Sequence, residues 1–285
     1  MKKRYFLIVS LIISICCIAT KYGFAATVGN SLDLDVPERS AILRQEIIEG
    51  TLDECEQAVK IKASFDMEFV FNKDLHVNND LKGAELKGQW YTGKLGLTLF
   101  NRVEPYVKIG TSNLDVKWKQ GAQEIEVDAD YGFAWGGGLK VNIWEFENPG
   151  IRLTGDAQYR TTEPDVTEIT VNSSIVKDSG AKFKVDEWQA SLLVSKKFEI
   201  PLKLQSIYVV PYTGVTYADS NVDFSFNNSD MPGADFSLFD ANNKKLYGFV
   251  LGCDIVPAMG SSFIYSLELR LVDEVALSLG GTVKF

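Results

Sequence analysis

The chain has 285 residues, of which 46% are apolar and 24% charged, with a formal net charge of −9. Such acidity excludes a nucleic-acid binder that works through a basic surface. Four cysteines, at positions 16, 17, 55 and 253, are too few for the disulfide framework of a small secreted scaffold.

Residues 1–25 predict a secretory signal peptide. Lys2, Lys3 and Arg4 precede an apolar run from Phe6 to Ala19, and Gly23-Phe24-Ala25 offers small residues at the cleavage positions. The run is shorter than the roughly 20 residues of a spanning helix. Ile15 before Cys16 argues against a lipid anchor. Without Lys2, Lys3, Arg4 and Lys21 the charge of −9 becomes −13. Residues 26–58 predict a short helix plus linker, a periplasmic or lumen-plugging segment. Ile42, Leu43, Ile47 and Ile48 share helical spacing, with Pro37 at the start and Gly50 at the stop. A disordered exported tail fits this composition equally.

From Lys60 the period becomes two. In KIKASFDMEFVF the apolar set Ile61, Ala63, Phe65, Met67, Phe69 and Phe71 alternates with Lys62, Ser64, Asp66 and Glu68. In EIEVDADYGFAWGGGLKVNIW one apolar face runs from Ile125 to Ile143, which predicts one strand of roughly 20 residues against a usual length of about 5–6. Ten strands are expected, near 59–71, 84–100, 104–119, 123–144, 150–161, 182–198, 206–219, 244–256, 261–271 and 274–285, with eight to twelve open. Connections alternate between short ones, such as 101–103 and 147–149, and long polar ones near 72–83, 162–181 and 220–243.

An even number of alternating strands with short turns at one end and long loops at the other predicts an all-β, antiparallel, transmembrane outer-membrane barrel over residues 59–285. The apolar set then faces lipid and the polar set lines the lumen. The expected lumen charges are Asp66, Glu68, Lys108, Lys140, Arg152, Asp156, Arg160, Glu268 and Arg270. Aromatics toward strand ends are expected to form interfacial girdles: Trp90, Tyr91, Phe100, Tyr106, Trp118, Trp144, Tyr159, Tyr208, Tyr212 and Tyr217. No lipid-facing backbone group can stay unpaired, so the terminal strand must close on the first. Phe285 then lies at the periplasmic rim.

Short pieces of the sequence resemble the chlamydial major outer membrane porin family. They are VDEWQASLLVSKKF, VVPYTGVTYADSNVDF and LELRLVDEVALSLGGTVKF in the C-terminal half, and KIKASFDMEFVFNKDL at the first strand. Trp188, Gln189, Pro211, Tyr212 and Gly214, with Leu271-Val272-Asp273-Glu274, are the more specific residues, and the likeness covers about a third of the chain. The resemblance implies a porin-like outer-membrane protein of a Gram-negative-type bacterium, whose Phe285 is read by the barrel-assembly machinery. The chain is shorter than that family and lacks its many cysteines.

Three functional readings follow. Ten strands lie near the size at which side chains fill a barrel, so the lumen charges either pair and plug it or line a narrow conduit for ions and small polar solutes. A closed structural or adhesin-type barrel would act through its loops. A protease reading rests on Asp74 and His76, with Asp128 and Asp130, near the predicted outer ends; KDLHVNND also reads as a plain solvated loop. The expectation is no enzyme and no cofactor. Glu124, Glu126, Asp128 and Asp130 offer a divalent-cation site or a solvated acidic end. Gly136-Gly137-Gly138 leads into strand, which favours close packing over a nucleotide loop. Cys55 and Cys253 both fall near the periplasmic rim in this scheme, on the order of 15 Å apart at about 4.8 Å per strand, so a bridge between them requires the N-terminal segment to reach across; an intermolecular bond is the alternative and a free thiol the default. Expected partners are outer-membrane lipid and the barrel-assembly machinery, with a homo-oligomer open and nucleic acid excluded.

Overall fold

The computed structural model describes residues 59–77, 81–146, 150–176, 182–201, 206–225, 239–257, 262–272 and 274–285. The signal peptide, the helical segment at 26–58 and Cys55 lie outside the described residues. The elements are β1 (Val59–Val77), β2 (Leu81–Leu99), β3 (Val103–Gln120), β4 (Gln123–Ala129), β5 (Gly132–Phe146), β6 (Ile151–Thr162), β7 (Val166–Val171), β8 (Ser174–Val176), β9 (Lys182–Lys196), β10 (Phe198–Pro201), β11 (Ser206–Ser225), β12 (Phe239–Asn243), β13 (Tyr247–Val256), β14 (Phe263–Leu271) and β15 (Glu274–Lys284).

Ten of these strands close a ring. Going round it, the order is β1, β2, β3, β5, β6, β9, β11, β13, β14, β15 and back to β1, every pair antiparallel. The closing pair β1–β15 runs from Lys62↔Lys284 to Lys73↔Glu274, and the Phe285 amide donates to the Ile61 carbonyl at 2.9 Å. No edge faces outward in this ring, which is the condition for a β-structure in hydrocarbon.

The outer wall of the ring is apolar. Phe65 (52%), Phe133 (63%) and Leu279 (41%) are among many large apolar side chains left exposed. The strands β13, β14 and β15 have 10, 9 and 11 residues, close to the roughly 9–11 that cross a bilayer at a tilt. Water would penalise a belt of this size by the hydrophobic effect, and lipid does not. The chain is therefore a membrane-spanning barrel of the outer-membrane type.

Several strands continue beyond this ring into a second, distal tier whose polarity is reversed. The far part of β3 leaves β5 and pairs with β4, β4 pairs with β7, and β7 with β8. On the other side β12 bridges β1 and β11 above the shorter strands β13 to β15. The interior here is apolar: Leu75, Val77, Leu86, Leu114, Val116, Trp118, Ile125, Val127, Ile169, Phe183, Val222 and Phe224 are all buried in one cluster. The outward residues of β4 and β7, by contrast, are polar or charged. This tier is built as a water-soluble barrel is built.

Two irregularities let one strand serve both tiers. In β1 the even-numbered residues Lys62 to Val70 point inward. A bulge at Phe71 and Asn72 shifts the register against both neighbours, and from there Lys73, Leu75 and Val77 are the buried ones. Between β4 and β5 the break at Asp130 and Tyr131 does the same. Ile125, Val127 and Ala129 point inward, whereas Phe133 and Trp135 point to lipid. The single strand expected over 123–144 is thus two strands with opposite inward faces. The alternation in sequence persists across the break because the environments exchange at the same point as the pleat.

The expected long loops are shorter than the sequence suggests, because β1 reaches Val77, β2 begins at Leu81 and β7 and β8 fold within 162–181. The expected girdle also divides. Phe100, Trp144 and Tyr217 are exposed, with Tyr91 and Tyr159 on the same outer face. Trp90, Tyr106, Trp118, Tyr208 and Tyr212 are buried inside. Strand-end position alone does not distinguish these sets; parity relative to the bulges does.

The interior tyrosines lie on glycines. A Cβ at Gly138 would come within 2.6 Å of the Ala157 carbonyl oxygen and Tyr106 Cζ, and one at Gly252 would fall on the Tyr212 ring. Overpacking of this kind costs about 1–3 kcal/mol. Gly252→Val is therefore expected to lower the urea midpoint of the folded barrel in lipid. The shift of folded to unfolded mobility on unheated gels measures it, and an unchanged midpoint would contradict the packing described.

Candidate functional site: the charged interior

The candidate site is the interior of the membrane tier. All nine charges expected there, Asp66, Glu68, Lys108, Lys140, Arg152, Asp156, Arg160, Glu268 and Arg270, are buried. Lys62, Lys73, Lys94, Glu104, Glu187, Asp254 and Glu274 join them. Among the described residues the buried charges are eight cationic and eight anionic, so the interior is formally neutral. The additional residues carry the same parity signal as the expected nine, except Lys73. Lys73 lies past the β1 bulge that resets the face, whereas Glu274 shares the parity of Ser278 and Thr282 on β15.

The distal half of the interior holds a continuous ion network. Arg160 on β6 reaches Glu68 on β1 (Nη1–Oε1 3.0 Å) and Glu187 on β9 (Nε–Oε1 2.9 Å). Lys73 reaches Glu187 at 2.9 Å and Glu274 at 3.4 Å, and donates to Ser220 Oγ at 2.6 Å. Arg270 lies 3.4 Å from both Glu68 and Glu268, and the Tyr212 hydroxyl donates to Glu268 at 2.9 Å. The Arg160 guanidinium also stacks over Trp90, 4.1 Å from the ring centre. Trp90 belongs to the apolar cluster of the distal tier, so Arg160 joins the two interiors.

Nearer the chain termini, Lys62 pairs with Glu104 at 2.7 Å, and Thr98 donates to the same carboxylate at 3.0 Å. The Tyr106 hydroxyl donates to Asp156 at 3.1 Å, and Lys108 to Gln158 at 2.8 Å. Lys94 and Lys108 lie 5.3 and 5.5 Å from the Tyr106 ring centre. Lys140 sits directly opposite Asp156 in the β5–β6 ladder. Arg152 pairs with Glu145 at 2.9 Å.

Packing leaves little room for solvent among these groups. Lys140, Asp254 and Arg270 are each 0% exposed. The ends of the interior are apolar: Tyr208, Val210, Val256 and Ile264 cluster toward the termini, and the distal tier covers the other end.

The residues of the protease reading are not brought together. Asp74 and His76 lie on the outer face of β1, and Asp74 pairs with Lys244 at 3.6 Å. Asp128 is on β4, with β2 and β3 intervening, and the separation is on the order of 14 Å at about 4.8 Å per strand. Among the described residues no group of three or more His, Cys, Asp and Glu side chains could hold a metal ion. Cys253 lies half-buried on the outer face of β13, opposite Pro211 and Leu267. It is therefore inside the lipid belt, not on the rim.

Outside the membrane tier, Asp115, Asp128 and Glu168 form a row of like charges across β3, β4 and β7. Burial, and then Asp128 and Glu126, push the Asp115 carboxyl up to about 6, against the pull of the Ala129 amide and Lys87. Asp128 is raised as well, by burial, Glu126 and Glu168. A carboxyl raised in the folded state holds more protons folded than unfolded. Its stabilising contribution is present in acid and is lost as pH rises from about 4 toward 6.

No family model and no curated protein matches the chain. Solved structures align with most of the chain at low identity. The translocator domain of the autotransporter NalP from Neisseria meningitidis is 10% identical, with 84% of this chain and 89% of that one aligned and a TM-score of 0.40. The outer membrane protein OprG from Pseudomonas aeruginosa is 12% identical over 80% and 96% of the two chains, at a TM-score of 0.36. The transport unit of the autotransporter AIDA-I from Escherichia coli is 9% identical over 84% and 92%, also at 0.36. These likenesses are too distant to say what the protein does, and the barrel rests on its own strand pairing.

Removing Arg160 leaves Glu68 and Glu187 buried without their guanidinium. Arg160→Ala is expected to cost about 3–5 kcal/mol of stability. Arg160→Ala combined with Glu68→Gln and Glu187→Gln should recover part of that loss, as read from urea midpoints of refolded protein. Separately, Asp115→Asn should flatten the decline in hydrogen-exchange protection of β3 and β4 between pH 4 and 6, after correction for intrinsic exchange. An unaltered slope would assign it to other groups.

Proposed function

We propose that the protein is a closed outer-membrane barrel, a structural anchor that carries its distal tier on the cell exterior, and that it conducts no solute in this state. It is not an enzyme in this reading. The observation that carries it is the filled interior: sixteen buried charges, eight of each sign and ten of them in ion pairs among the described residues, between two apolar clusters. A pore that discriminates ions needs a wet path, and ten strands leave a lumen that side chains can fill. Both chain ends of the barrel, Val59 and Phe285, lie opposite the distal tier, which in an outer membrane puts them on the periplasmic side and the tier outside.

The narrow-conduit reading remains the alternative because polar side chains occupy the interior where apolar ones would seal it more cheaply. Planar-bilayer recording of the refolded chain decides between them. Insertion is established independently by the folded gel mobility of protein recovered from the same vesicles. The closed-barrel reading expects no discrete steps. Reproducible open-channel steps that Arg160→Ala or Lys140→Met alters in ion preference would replace it with the conduit.

A further inference from the structure

The periplasmic end of the barrel is cationic. Lys60, Arg102, Lys197 and Lys284 stand half-buried around it. Lys60 and Lys284 continue the lumen-facing parity of Lys62 and Thr282. The Lys197 ammonium lies over the ring of the interior Tyr208, 4.3 Å from its centre. In the ladders Lys60 is opposite Thr98 and Lys284 is opposite Lys62, so the sheet sets no carboxylate across from either. The described carboxylates at this end are engaged locally, Glu145 by Arg152 at 2.9 Å and Glu199 by the Ser206 hydroxyl. Just inside the mouth, Tyr208, Val210, Val256 and Ile264 form an apolar cluster.

Residues 26–58 have the opposite character. They carry eight carboxylates against Arg39 and Arg44, and Ile42, Leu43, Ile47 and Ile48 share a helical spacing. They join the barrel at Val59, on this same rim. We propose that this segment docks across the periplasmic mouth and caps it. Its carboxylates meet the rim cations and its apolar positions lie over the Tyr208 cluster. Ten strands at about 4.8 Å each make a mouth on the order of 15 Å across. The stretch from Gly50 to Ala58, extended, spans up to about 30 Å, so the stretch 38–49 reaches Lys197 on the far side of the ring. The interior is filled by its own charges, which leaves the mouth and not the lumen as the seat.

The test is hydrogen exchange, read by mass spectrometry, on the refolded chain in lipid nanodiscs, which open both faces to solvent. A synthetic peptide of residues 26–58 supplies the unprotected rates. At low salt the amides of 38–49 in the chain are expected to exchange about tenfold more slowly than in the peptide. At about 0.5 M salt, where the Debye length falls to a few ångströms, they should approach the peptide rates. Lys197→Glu with Lys284→Glu should remove the protection, and the milder Lys197→Met with Lys284→Met should reduce it. Adding Glu46→Lys and Glu49→Lys to the first pair should restore it. Folded gel mobility verifies each variant. Peptide-like exchange at low salt overturns the cap. So does protection indifferent to salt and to the reversals, which is what a segment held inside the lumen or on lipid would show. Channel steps in the bilayer recording would end the closed-barrel reading and leave this result standing.

Discussion

A backbone amide or carbonyl that faces hydrocarbon has no water to bond, and leaving it unpaired costs several kcal/mol. That constraint organises the membrane tier. It requires β1 and β15 to find each other across the length of the chain, and the ladder from Lys62↔Lys284 to Lys73↔Glu274 is the result. Closure then fixes which face of every strand can meet lipid. Once the apolar residues are turned out, the polar ones are forced into a narrow interior. There they must satisfy one another, because burying an unpaired charge costs far more than burying a pair.

The same chain solves the opposite problem a few residues further on. Where the strands leave the lipid belt, water is outside and the favourable burial is apolar. The bulge at Phe71 and Asn72 and the break at Asp130 and Tyr131 exchange the faces at that boundary. Arg160 marks the junction, its guanidinium held by two carboxylates below and its planar face laid on Trp90 above. An ion network of this density is weak evidence for stability by itself. Its better-supported role is to specify one register and one packing among the many that an apolar filling would permit.

Much of this was legible in the sequence, and for a physical reason. A two-residue period with charges on one face and glycines among them has few stable solutions, so strand positions, closure and the nine interior charges followed from parity. What parity could not show is a change of environment that coincides with a change of face. Ile125, Val127 and Ala129 continue the alternation of Phe133 and Trp135 without interruption, yet one set faces a protein interior and the other lipid. Lys73 was missed for the same reason. The aromatic residues were half misassigned because Trp90, Trp118 and Tyr212 differ from true girdle residues only in the side to which they point. Pairings such as Arg160 with Glu68 and Glu187 join residues on three strands, and no local pattern encodes them.

Accessibility scanning along β1 tests the two-tier account most directly. Single cysteines at 65, 69, 74, 75 and 76, in a chain otherwise free of cysteine, would carry spin labels in refolded vesicles. The account predicts strong relaxation by oxygen at 65 and 69, by a water-soluble nickel chelate at 74 and 76, and by neither at 75. Oxygen-dominated relaxation at 76, or nickel access at 65, would contradict it.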